Sequence, residues 1–161
     1  MHPAMFSPSR RALILGGIAA LGAAASCRPI LPTGEEGGVS SAATGKIGPL
    51  RTGSGLVSLS PDATVEKAAL QQARLMAASG RMEHTALPGH DFVSRMKKNG
   101  IPAPAAENLA RGRMDLDELF DKWMASEAHR RNMLDPRFAR FGLAFAEEAN
   151  ENRYWALVLC V

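Results

Sequence analysis

Cysteine is nearly absent. The 161 residues hold only Cys27 and Cys160, so no disulfide framework staples the fold. The zinc-binding spacings Cys-x-x-Cys and His-Glu-x-x-His do not occur, and neither does the Gly-x-Ser-x-Gly turn that presents a nucleophilic serine. An excess of charge is missing too. The formal net charge is +3, from 19 basic and 16 acidic residues. Two of those positive charges, Arg10 and Arg11, sit in a leader-like segment; without them the chain is near neutral despite a calculated pI near 9.2. That argues against nucleic acid as a partner bound through bulk charge. The longest apolar run near the N-terminus, Leu13 to Ala25, is too short and wrongly flanked for a membrane span. What is present suffices for one domain: 46% of residues are hydrophobic, enough for a core at this length.

Residues 1–26 read as an export signal. Ser9-Arg10-Arg11-Ala12-Leu13-Ile14 resembles a twin-arginine n-region, followed by the apolar stretch. Ala24-Ala25-Ser26-Cys27 resembles a lipobox, with Ala24 where such boxes carry Leu. Lipid attachment at Cys27 and ordinary cleavage both remain open, and either places the mature domain outside the cytoplasm: periplasmic, envelope-anchored or extracellular. Residues 27–47, rich in Pro, Gly and Ser, are expected to form a flexible linker that buries too little to offset its ordering entropy. A domain spans 48–161. Gly45, Gly48, Pro49 and Gly53 predict that its first helix is short or frayed.

Ser60-Pro61-Asp62 signals the start of a helix whose inner face carries Val65, Ala68, Ala69, Gln72 and Met76, with Gly80 as its stop. Its many alanines imply close packing. Asp91 caps a short helix with Phe92 and Met96 inward. Asp115 and Glu118 have capping-box spacing. Leu116, Leu119, Phe120, Trp123 and Met124 then follow a 3.6-residue period, predicting one long rigid helix with His129 at its C-terminal end. There the helix dipole would favour imidazolium. Phe141, Leu143 and Phe145 alternate with small residues. Tyr154 to Val161 is almost wholly apolar, as in a strand covered on both faces, with Cys160 a small buried hydrophobe. These two strands are expected to form an antiparallel hairpin.

Four features occur in order: His84 in Met82-Glu83-His84-Thr85; Glu107-Asn108-Leu109-Ala110; Trp123-x-x-Ser126; and His129-Arg130-x-Asn132-Met133-Leu134. Together with Arg51-x-x-x-Gly55-Leu56-x-x-Leu59 they resemble the CAP superfamily (cysteine-rich secretory, antigen 5, pathogenesis-related; the SCP domain) in its bacterial form. The resemblance spans roughly residues 48–161 and implies a three-layer α/β/α sandwich, a small antiparallel sheet flanked by helices. It also implies a pocket. His84 and Glu107 match the first two members of a two-His, two-Glu cluster found in many eukaryotic relatives. Ser126 stands where the second Glu is expected, and the late strand lacks the last His; His129 matches the bacterial pattern instead.

His84, Glu107 and His129 are therefore expected to converge, polar atoms about 3–7 Å apart. Two imidazoles and a carboxylate could ligate zinc or another divalent metal weakly, or form a hydrogen-bonded network. Ser126, His129 and Glu107 also contain the atoms of a hydrolytic triad. Asn108 and Asn132 read as structural glue, and Trp123 and Trp155 as core anchors. The favoured function is a non-enzymatic binding module at the cell envelope, taking a small ligand, lipid or protein partner. The alternative is a metal-dependent or Ser/His hydrolase of envelope peptide or ester bonds.

Overall fold

The structure is a computed structural model that describes residues 34–85, 88–149 and 152–161. The leader over residues 1–26 and Cys27 lie outside the described residues. Among the described residues five strands form one sheet: β1 (Glu36–Gly38), β2 (Ser60–Pro61), β3 (Ala105–Arg111), β4 (Arg140–Glu147) and β5 (Arg153–Cys160). Their order is β1-β4-β5-β3, all antiparallel, with β2 joining β4 in parallel. β4 and β5 form the expected hairpin, pairing from Arg140 with Cys160 to Glu147 with Arg153.

Alternation along β5 divides the core in two. Tyr154, Ala156, Val158 and Cys160 face one helical layer; Trp155, Leu157 and Leu159 face the other. The first layer is α2 (Ala63–Ser79) and α3 (Phe92–Lys98); the second is α1 (Ser40–Thr52), α4 (Leu116–Ala125) and α5 (Glu127–Met133). This is the α/β/α sandwich. Burial of Cys160 raises its thiol pKa and keeps it protonated.

The alanines of α2 permit close approach. Ala68, Ala69 and Ala73 are fully buried, and at Gly142 of β4 an added Cβ would lie 2.1 Å from the Glu66 backbone nitrogen. No side chain fits between helix and strand there. The start of α2 differs slightly from expectation. Ser60 and Pro61 pair with β4, and Asp62 alone is the cap, its carboxylate accepting from Thr64 N and Val65 N at 2.8 and 3.0 Å.

Two expectations are corrected on the other face. The linker reading of 27–47 fails for residues 36–47, which supply β1 and most of α1, and α1 is a full helix despite Gly45, Gly48 and Pro49. Tertiary contacts override its poor propensity. Ala43 and Ile47 are fully buried. The guanidinium of Arg51, only 1% exposed, donates to the carbonyls of Val57, Met133, Asp135 and Phe138. That tie fixes α1 to the end of α5.

Second, the long helix is broken. The Asp115–Glu118 capping box forms and Leu119, Phe120 and Trp123 are buried. At Ser126, however, the backbone turns extended (φ −91°, ψ 119°) and a new helix begins. His129 thus lies in the first turn of α5, not at a helix C-terminus. The dipole there opposes imidazolium rather than favouring it.

Candidate functional site

Glu107 is on β3, opposite Val158 of β5. Strand pairing puts its carboxylate on the α2/α3 side, where it is almost fully buried. A buried carboxylate needs partners, and both of its oxygens have one. Oε1 meets His84 Nδ1 at 2.9 Å. Oε2 accepts from the Arg95 guanidinium of α3. Arg95 is itself 4% exposed. It also donates to the His90 carbonyl at 3.1 Å and lies over the Phe92 ring.

His84 is held from below. Gly80 ends α2 in the left-handed conformation, φ +67°. The buried Gln72 of α2 then donates to the Glu83 carbonyl at 2.5 Å. The loop is thus tied down one residue before the imidazole, whose side chain stays 60% exposed. Its bond to Glu107 raises the His84 pKa above the ordinary 6.5.

His129 approaches from the other element. Asn108, fully buried on β3, donates to the His129 carbonyl at 3.1 Å. Asn132 donates to Asn108 Oδ1 at 2.9 Å. These two amides fasten α5 to β3, the role expected of them. Burial, and secondarily the charge of His84, lowers the His129 pKa below 6.5. The Nδ1 of His129 is buried without a hydrogen-bond partner. One imidazole therefore favours its charged form and the other its neutral form.

The arrangement bears on the two chemistries weighed from sequence. For a metal, Glu107 would have to exchange a guanidinium for a dication, whereas His84, held at Nδ1 by Glu107, keeps Nε2 free among the described residues. Among the described residues no group of three His, Cys, Asp or Glu side chains could hold a metal ion. As placed, the Glu107 carboxylate is taken up by Arg95 and His84 and is not free to ligate a cation. For a triad, Ser126 sits at the α4–α5 junction, its hydroxyl caps nothing, and no hydrogen bond joins it to His129. The helix break makes Ser126 the residue before α5, with His129 in that helix's first turn.

Arg95 was missed from sequence. The available signal was its position: it lies three residues after Phe92 and next to Met96, on the inward face of a short helix. An arginine there needs a buried acceptor, and Glu107 is the carboxylate within reach. The tryptophans are anchors, with Trp123 Nε1 donating to the Leu109 carbonyl and Trp155 Nε1 to that of Gly112, both at 3.1 Å.

Comparison with known proteins agrees with this frame. The family model described as the cysteine-rich secretory protein family, CAP, matches residues 46–160. YkwD of Bacillus subtilis is 32% identical over 97 residues, 60% of this chain and 38% of that protein. The chain thus spans well under half the length of that relative. Among solved structures, an outer surface protein of Borrelia burgdorferi matches with a TM-score of 0.69 at 20% identity, covering 79% of this chain and 97% of that one. An extracellular SCP-domain protein of Bacillus anthracis matches at 0.64 and 18% identity, over 76% of this chain and 41% of that one. With the family model covering most of the folded residues, the chain belongs to the cysteine-rich secretory protein, or CAP, family.

Proposed function

We propose that this is an exported, non-enzymatic binding module whose site, formed by His84, Glu107, Arg95 and His129, receives a small polar ligand at the cell envelope. The observation that carries the reading is the pairing of Glu107 with Arg95 and His84, together with a His129 that feels the charge of His84 and whose buried Nδ1 has no partner. A carboxylate locked to a guanidinium is a poor general base and a poor metal ligand. A buried imidazole nitrogen with no protein partner is an unused hydrogen-bonding position, which a bound molecule could fill. Export is supported by the leader reading, with Cys27 as the point where a lipid tether would attach. The descriptions of the relatives from Borrelia burgdorferi and Bacillus anthracis as outer-surface and extracellular point the same way.

The test is native mass spectrometry of the protein isolated from its own envelope fraction. A bound small molecule that His129→Ala loses supports the module. Turnover of ester or peptide substrates, abolished by the same substitution, would establish the hydrolase instead. Stoichiometric zinc uptake in calorimetry, lost in His129→Ala and tightened in Ser126→Glu, would establish a metal site.

A further inference from the structure

A second cleft lies between α2 and α3, and its lining is chemically one-sided. It encloses about 400 Å³, within the range of small-ligand sites. Lys67, Gln71 and Arg74 line it from one face of α2, at helical spacing, and Arg95, Lys98 and Asn99 from α3 and its cap. No Asp or Glu is among its lining residues. The four cations are not equivalent. Arg74 is neutralised by Glu36, its Nε donating at 2.8 Å, and Arg95 by Glu107. Lys67 and Lys98 have no ion pair or hydrogen bond among the described residues. Two positive charges face one cleft without compensation.

The two walls are held together by a pair of amides. Asn99 Nδ2 donates to Gln71 Oε1 at 2.8 Å, and Gln71 Nε2 to Asn99 Oδ1 at 3.4 Å. This clasp joins two like-charged surfaces that would otherwise repel. Arg95 adds an independent sign of an absent partner: its Nε is buried and makes no hydrogen bond. A nearly buried guanidinium rarely leaves a donor unused.

We propose that this cleft binds a phosphate-class anion, either a soluble phosphorylated molecule or the headgroup of an anionic phospholipid. Two uncompensated ammonium groups attract a phosphate anion, and Lys serves phosphate as a point charge without a planar fork. The anion would remove the repulsion that the Gln71–Asn99 clasp now bears. The inference shares Arg95 with the His84–Glu107 site, but its two free cations, Lys67 and Lys98, belong to this cleft alone, so the lysine variants test it separately.

Calorimetry of the full chain with inorganic pyrophosphate at low salt, and sedimentation with phosphatidylglycerol against phosphatidylcholine vesicles, tests it. Lys67→Glu with Lys98→Glu is the disrupting variant, and Lys122→Glu on α4, an exposed lysine outside the cleft, is the control. Binding that the double variant weakens about tenfold or more, that salt suppresses and that the control retains upholds the site. Pyrophosphate binding assigns a soluble source. Preference for phosphatidylglycerol without pyrophosphate binding assigns a headgroup. No binding of either probe, or equal binding by wild type and double variant, overturns the proposal.

Discussion

The two faces of the sheet bury their charges differently. Beneath α1, α4 and α5 the core is large and aromatic, with Trp123, Phe141 and Leu157, and its buried arginine, Arg51, donates only to backbone carbonyls. Beneath α2 and α3 the core is built from alanines, and its buried arginine, Arg95, meets a carboxylate and leaves one donor unused. An arginine satisfied by carbonyls is a clamp: it neutralises no charge and has nothing to exchange. An arginine paired with a buried carboxylate that also holds an imidazole belongs to a site. Glu107, Arg95 and His84 gather on the face where small side chains let helix and strand approach, while His129 comes from α5 of the other layer.

Substitutions should separate the two arginines. Arg95→Met strands the Glu107 carboxylate and should cost about 3–5 kcal/mol in urea unfolding. Adding Glu107→Gln should recover much of that loss, since the stranded charge disappears with it. Arg51→Met should cost about 2–4 kcal/mol through its lost carbonyl bonds, and no single second substitution should rescue it. Rescue of both variants, or of neither, would erase the distinction. On the alanine face, Gly142→Ala should cost about 1–3 kcal/mol, because the added methyl meets α2 backbone rather than a yielding side chain. A neutral result in thermal unfolding would mean that the close approach is not tight.

Much of this frame was legible in sequence because its signals are local. The Asp115–Glu118 box, the left-handed Gly80 and the apolar run of β5 each determine their own element. What was not legible depends on partners far along the chain. Ala105-Ala106-Glu107-Asn108 has little strand propensity; it becomes β3 because β5 offers a complete ladder. Residues 123–131 carry unbroken helix formers, yet the chain breaks at Ser126, after which α5 lies across β3 where Asn108 and Asn132 bond. α1 survives its glycines because Arg51 and Ile47 are anchored elsewhere. Arg95 escaped notice because a charged residue on a short helix usually faces water. His84 and Glu107 meet, as the family pattern implies, but the guanidinium between α3 and β3 changes what those groups can do.

The two histidines give the most direct test. Relative to the ordinary value of 6.5, the Glu107 bond raises His84 and burial lowers His129. The consequences for stability have opposite signs. The His84 contribution is complete below pH 6.5 and fades as pH rises through its raised folded value; exposure of the side chain keeps it small. The His129 contribution is complete above 6.5 and is lost as pH falls through its lowered folded value. A nitrogen-15 NMR titration of the imidazoles in the intact protein reads both values at once. The account predicts His84 titrating above 6.5 and His129 below it, with Glu107→Gln returning His84 toward 6.5. Two histidines titrating together near 6.5, or His129 above His84, would contradict the charge arrangement on which the proposed site rests.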